Sequence, residues 1–222
     1  MNLEIEKFFN KDNLISLISY GKDPGDVFSS TLVAIMQSVD VHSIEKTKKL
    51  KHKDVVIMSK EEFFNSIDVF PIEFITMKHS YKVIFGEDVL SEIDIDMKNY
   101  RHQLEYEVRS KKQILTRAIR EFGSTSRFTA KIMDDILNQL KILVIHIAHL
   151  SQELKSFEYD YMVAIHRLSE VSGKGMETLT NLLYSIEQNK YKDYSKGQKL
   201  QFLSELLQDI KDLQGYVDSF EA

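Results

Sequence analysis

The feature that most constrains the fold is a change in the spacing of apolar residues near residue 95. Before this point, short runs rich in valine, isoleucine and phenylalanine are separated by turn signals and have strand length. After it, apolar residues recur at the three- and four-residue spacing of helices. We therefore predict an α+β chain: a small mixed β-sheet domain over residues 1–95, then an all-helical bundle over 96–222.

Strand-length runs and helical patterns alternate in the first domain. The predicted strands are LISLISY (14–20), TLVAIMQ (31–37), DVVIMS (54–59), IEFITM (72–77) and KVIF (82–85). The predicted helices are LEIEKFFN (3–10), VHSIEKTKKLKH (41–52) and SKEEFFNSI (59–67). In the last of these, Ser59 and Glu62 have the spacing of a capping box. We expect Gly86, in FGED, to make a turn.

The second domain is predicted to be helical throughout. Its predicted helices cover residues 97–122, 128–157, 158–171 and 176–188, with a last one that ends near Phe220. Gly123 should end the first of them, and the STS that follows offers the next N-cap.

Composition excludes several classes of protein. The 222 residues carry a net charge of −5 and no cysteine, which excludes disulfides, thiol catalysis and thiolate zinc sites. The overall charge is unlike that of a basic nucleic-acid binder, so we do not expect nucleic acid as a partner. The longest apolar run, ILVIHIAHL, is too short to cross a bilayer. We expect a cytoplasmic protein without a membrane partner.

The stretch YGKDPGDVFSSTLVAIM (20–36) combines a strand end, a glycine turn, a loop and a second strand. Nucleotidyl transfer uses magnesium ions held by two or three carboxylates on rigid strands, and a glycine turn lets backbone N–H groups approach phosphates. At the start of this second strand, however, the chain has SSTL and no carboxylate.

A second stretch, VFPIEF to KVIFGED (69–88), precedes a helix that begins RHQLEYEVRSKK. With the order of elements before it, this stretch resembles the nucleotidyltransferase superfamily of kanamycin nucleotidyltransferase and DNA polymerase beta, in particular a bacterial branch of nucleotidyltransferase-domain proteins. The resemblance covers roughly residues 10–120. The residues that carry it are Phe70, Pro71, Ile72, Glu73, Phe74, Lys78, Tyr81, Gly86, Glu87 and Asp88.

The resemblance implies a catalytic motif that this chain has lost. The superfamily's Gly-Ser is matched by Gly21 and Lys22, and its Asp-x-Asp by Ser30 and Leu32. Glu73, placed on a later strand, matches the third carboxylate. Leucine cannot bind magnesium, and a serine hydroxyl is a weak neutral ligand. The positions left for nucleotide contact are Gly21, Lys22, Ser29 and Ser30.

Three functions follow as alternatives. We favour a degenerate nucleotidyltransferase-fold protein without catalysis or cofactor, which acts as a nucleotide-binding, regulatory or protein-interaction module. The second is an active enzyme that modifies a small molecule or protein, using a nucleoside triphosphate and Mg²⁺ bound through Glu73 with the loop residues Asp23 and Asp26. The third is a helical scaffold that binds no nucleotide. Apolar-faced helices of the second domain suit a homodimer or another protein partner.

Two further groups of residues in the second domain are candidate sites. His146 and His149 have the i, i+3 spacing of a metal pair, but few carboxylates lie nearby, and buried bundle histidines are the preferred interpretation. Four cations fall partly on one side of a helix: Arg109, Lys112, Arg117 and Arg120. They suit a phosphate or a nucleic-acid backbone, although a solvated helix face is the commoner explanation.

Overall fold

The chain folds as an α+β protein, with a four-stranded mixed sheet near the N-terminus followed by a largely helical C-terminal region. The computed structural model describes residues 7–26, 30–48, 50, 54–151, 157–173, 176, 179–181, 183–184 and 194–220. These residues form two compact units that divide between Tyr100 and Arg101. No helix among the described residues is long and apolar enough to cross a membrane.

The sheet of the first unit has the order β3-β2-β1-β4. Its strands are β1 (Leu14–Tyr20), β2 (Thr31–Met36), β3 (Val55–Ser59) and β4 (Tyr81–Gly86). β1 pairs antiparallel with β2 and β4, and β2 pairs parallel with β3. Four of the five predicted strands are therefore confirmed.

Both faces of the two central strands are buried. Along β2, Val33 and Ile35 belong to one apolar cluster, whereas Ala34 and Met36 belong to another. This alternation is the two-residue period of a strand covered on both sides. It explains why β1 and β2 read as nearly continuous apolar runs and not as alternating ones.

Three short helices accompany the sheet: α1 (Val41–Thr47), α2 (Lys60–Ser66) and α3 (Pro71–His79). The predicted capping box of α2 is confirmed, because the Glu62 amide donates to Ser59 Oγ at 3.1 Å and the Ser59 amide donates to Glu62 Oε2 at 2.7 Å. α1 ends before residue 52, its predicted end. The first half of the helix predicted over residues 3–10 lies outside the described residues.

The fifth predicted strand, IEFITM, is wrong: these residues form most of α3. Pro71 occupies the first turn, where its fixed φ and missing N–H favour the start of a helix. Phe74 and Met77 lie three residues apart on the same helical face, and both join the cluster on one side of the sheet. IEFITM is short, apolar and rich in β-branched residues, and such a run fits a strand or a buried helix. Its composition therefore predicted a strand where a helix forms.

The second unit contains most of α4 (Met97–Phe122), then α5 (Arg127–Leu150), α6 (Tyr161–Ser172) and α7 (Lys196–Asp218). Gly123 follows α4 with a φ of 81°, and Ser126 caps α5, as predicted. α5 ends at Leu150 and not at residue 157. α6 begins only after Asp160, whose side chain accepts the amide hydrogen of Met162. The helix predicted over 176–188 lies largely outside the described residues.

Gly86 is the last residue of β4 and not part of a turn, so that prediction is wrong. It is the strand partner of Ser16, and its φ is 80°, in the left-handed region. A Cβ at this position would overlap the carbonyl oxygen of Ile15. Glycine is therefore required both for its backbone conformation and for the close approach of β1.

We predict that Gly86→Ala lowers the free energy of unfolding by about 3 kcal/mol or more, because it adds a steric overlap to backbone strain. Gly123→Ala is the matched control: its φ of 81° is nearly the same, but an added Cβ meets no atom within 4 Å. It should cost only about 1 kcal/mol. Urea denaturation of both variants measures the difference, and equal losses would show that close packing against Ile15 contributes nothing.

Candidate functional site

The sequence places its candidate site where β1 ends and β2 begins. We call this region the hairpin end and define it as residues 19–21 and 30–32. Here Ser19 pairs with Leu32, and Tyr20 pairs with Thr31, across the antiparallel ladder. The hairpin end also borders the start of β3, because the Leu32 amide donates to the carbonyl oxygen of Asp54 at 2.9 Å.

Leu32, at the second Asp-x-Asp position, is 0% exposed. Its side chain contributes to the interior of the sheet unit, where a carboxylate would be desolvated without a paired cation. Position 32 is therefore a core position, which an aliphatic side chain fills without the desolvation cost of a charge.

Ser30, at the first Asp-x-Asp position, is 6% exposed. Its Oγ lies 2.5 Å from Oγ of Ser19, a residue that is 0% exposed, so one of the two hydroxyls donates a hydrogen bond to the other inside the unit. The Ser30 amide donates to the carbonyl oxygen of Asp26 at 3.2 Å. The hydroxyl and the amide of Ser30 thus both form hydrogen bonds within the fold.

The glycine turn is likewise held by internal contacts. Gly21 has a φ of 128°, and its amide donates to the carbonyl oxygen of Ser80 at 3.1 Å. The adjoining loop is a tight turn, in which the Gly25 amide donates to the side chain of Asp23 and the Asp26 amide donates to its carbonyl oxygen. Lys22 and Asp26 are exposed. Ser29, a predicted nucleotide contact, lies outside the described residues.

Glu73 is exposed in the first turn of α3, so its predicted place on a later strand is wrong. A carboxylate at this point interacts favourably with the N-terminal end of a helix. Glu73 nevertheless acts on the hairpin end through Tyr20. Burial raises the pKa of the Tyr20 hydroxyl, a hydrogen bond with the Thr31 side chain lowers it, and the negative charges of Glu73 and Asp54 raise it further.

Asp54 and Tyr20 are site residues that the sequence reasoning missed. Asp54 directly precedes the strand run VVIMS, and only the parallel pairing of β3 with β2 brings it beside the hairpin end. A strand-length pattern does not state which strands become neighbours. The clearest available signal was a carboxylate at the start of a strand, the position already searched on β2.

The motif residues of 69–88 have structural contacts of their own. Lys78 Nζ donates to the carbonyl oxygen of Ile93, and the Tyr81 hydroxyl donates to Asp88 Oδ2 at 3.0 Å. Asp88 Oδ1 also accepts the Ser91 amide hydrogen at 3.2 Å, which shapes the turn after β4. Stabilisation of the fold is therefore sufficient to explain these residues without a ligand.

In the part of the chain that the structure describes, no group of three or more His, Cys, Asp or Glu side chains is arranged to hold a metal ion. His146 is 1% exposed, and the rings of His146 and His149 meet Phe157 edge-on, with centroids 5.0 and 5.4 Å from it. Packing of this kind between rings is typical of the interior of a helical unit.

Comparison of the chain with protein-family models, with curated proteins and with solved structures gave no match. The resemblance to nucleotidyltransferases therefore depends on the residues quoted above, and function must be argued from the geometry of the site.

We predict that the hydroxyl pair of the hairpin end is energetically coupled. Ser30→Ala leaves the Ser19 hydroxyl buried without its partner and should cost about 1–3 kcal/mol of unfolding free energy. The double variant Ser19→Ala/Ser30→Ala removes both groups and should cost less than the sum of the two single changes. Urea denaturation of the four proteins measures the coupling, and strict additivity would contradict it.

Proposed function

We propose that this protein is a nucleotidyltransferase-like module without catalysis, which acts by binding. The sequence resemblance supports the likeness to nucleotidyltransferases. The internal contacts of the hairpin end support the absence of catalysis. Under this proposal, the first unit provides a stable platform and recognition takes place on exposed surfaces of the chain. We also propose a cytoplasmic location, which a chain without cysteine suits.

One observation carries the loss of catalysis: Leu32 is fully buried in the sheet unit. A ligand to a shared magnesium ion must present an oxygen to a site that substrate can reach. The neighbouring position is also committed, because the Ser30 hydroxyl is bonded to Ser19. A buried leucine and a hydrogen-bonded serine stand at the two positions where the family has carboxylates. The negative charge that would hold the metal is therefore missing there.

A second candidate function is favoured by one specific observation. The carboxylates of Asp54 and Glu73 both raise the pKa of Tyr20, so each lies within electrostatic range of the same hydroxyl. Asp54 joins Asp23 and Asp26 of the sequence-based hypothesis as a candidate second carboxylate. An active enzyme on this plan would have to bring Glu73 and one of these aspartates, all exposed, together on one magnesium ion beside the hairpin end.

Calorimetry with ATP and Mg²⁺, together with an assay for pyrophosphate release over a panel of small-molecule and protein acceptors, tests the proposal. We expect no release above that of the buffer. Release that disappears in Glu73→Ala and in Asp54→Ala, but persists in the matched control Glu92→Ala, would overturn it in favour of the enzyme. Glu92 is an exposed carboxylate that precedes Ile93 in the same unit.

Nucleotide binding itself separates the remaining alternatives. Heat of binding without magnesium and without pyrophosphate release supports a nucleotide-binding module. Absence of any heat with ATP supports a protein that acts only through its other surfaces. Analytical ultracentrifugation in the same buffer tests the predicted homodimer.

A further inference from the structure

The exposed side of α4 carries a positively charged groove in the second unit. Its cations are Arg109, Lys112, Arg117 and Arg120. Glu121 and, from α7, Gln214 also line this groove, whose volume is about 510 Å³. The opposite side of α4 is its apolar stripe, which includes Leu104, Val108, Leu115 and Ala118, all buried. The charged face is thus fixed by burial of the other face, since a helix of this length cannot rotate without exposing the stripe.

The local charge is opposite in sign to that of the whole chain. Residues 109–131 contain seven lysines and arginines but only one glutamate, whereas the whole chain has a net charge of −5. Charges farther away than about 10 Å are screened at physiological salt. A polyanion at the groove therefore experiences the local positive charge more than the acidic remainder.

The cations of this segment differ in what they already bind. Arg109 Nη2 donates to both carboxylate oxygens of Asp218, at 3.0 and 3.1 Å, and Arg109 also pairs with Glu105. Lys111 is 7% exposed and pairs with Glu107 at 2.6 Å. Among the described residues, no ion pair joins the other three cations of the groove, which are Lys112, Arg117 and Arg120. These three have charge available for a ligand.

A second groove borders the charged one, and Gln113, Arg117 and Glu121 line both. The second groove has a volume of about 340 Å³, and Tyr106 and Phe122 are part of its lining. Tyr106 is 71% exposed and Phe122 is 47% exposed, and the Phe122 ring lies 5.4 Å from that of Phe128. Exposed aromatic rings next to arginines that form no ion pair with a described residue offer a stacking surface beside positive charge.

We propose that this face of α4 binds single-stranded nucleic acid. The phosphates lie along Lys112, Arg117 and Arg120, and bases stack on Tyr106 and Phe122. A single strand alternates a charge and a flat π-face at each nucleotide, and this face of α4 offers both kinds of partner side by side. Arginine suits the phosphates because its planar fork binds two oxygens at once. An acidic peptide would satisfy the cations but would leave the exposed rings without a matching surface.

The groove has the length of a short oligonucleotide. Lys112 and Arg120 are eight residues apart on one helix, which is on the order of 12 Å at a rise of about 1.5 Å per residue. A track of this length can contact a few nucleotides directly. The polar side chains of Gln113 and Thr116 line the groove between the cations. Such contacts favour binding through backbone and stacking, with little preference for base sequence.

Fluorescence anisotropy with a labelled 12-nucleotide single-stranded RNA, and with DNA of the same sequence, tests the proposal on the full chain. Because three phosphates are neutralised, the logarithm of affinity should fall with the logarithm of salt concentration with a slope of about −2. Affinity should therefore drop roughly 20-fold between 50 and 200 mM salt. Binding of either strand supports the proposal, and the comparison shows which one is preferred.

Variants separate the charged contribution from the stacking contribution. Lys112→Gln/Arg117→Gln/Arg120→Gln should weaken binding at least tenfold and flatten the salt slope. Tyr106→Ala and Phe122→Ala should each weaken binding about tenfold and leave the slope unchanged. The matched control Arg167→Gln/Lys196→Gln/Lys211→Gln removes three exposed cations elsewhere in the unit and should bind as the parent does.

Several results would overturn the proposal. These are no binding of either strand at 50 mM salt, equally tight binding of poly-glutamate, and an equal loss of affinity in the control variant. Self-association that the triple groove variant abolishes, in a protein that does not bind RNA or DNA, would assign the face to a second copy of the chain. Circular dichroism and thermal melting check the fold of every variant, and Arg120→Gln alone repeats the test if the triple variant does not fold.

Discussion

Burial of both faces of β1 and β2 is the constraint on which the first unit depends. A strand covered on two sides has no free face for a site, so a ligand can approach only at its ends. At the hairpin end, internal contacts occupy the groups that a ligand could reach. Leu32 is buried, the Ser30 hydroxyl is hydrogen-bonded to Ser19, and the Gly21 amide donates to the carbonyl oxygen of Ser80. The burial that stabilises the sheet thus also determines the chemistry at the hairpin end.

Residues 69–88, which carry the resemblance to nucleotidyltransferases, contribute to the packing of the same sheet. Phe74 and Met77 cover one face of the sheet, Gly86 lets β4 approach the backbone of β1, and Asp88 joins Tyr81 to the turn that follows. Residues that carry a family resemblance need not be residues that touch a ligand. In this chain the most specific part of the resemblance has a structural explanation, and fold and activity are separate questions.

Sequence reasoning predicted the class of fold, four strands, the capping box of α2 and the end of α4, because these features depend on local periodicity and on caps. It was wrong where local patterns are ambiguous or contacts are distant. IEFITM has strand composition but begins with a proline that starts a helix, and Gly86 looks like a turn residue until β1 is placed against it. Asp54 needed the pairing of β2 with β3, which no short pattern contains.

The central claim is that the hairpin end is part of the core and not a ligand site. Amide hydrogen exchange of Leu32, whose N–H donates to Asp54, measures this directly. We predict that the Leu32 amide exchanges only through unfolding of the whole sheet unit, at a rate that Mg²⁺ and ATP do not change. Fast exchange of Leu32, or added protection confined to the hairpin end when Mg²⁺ and ATP are present, would contradict the account.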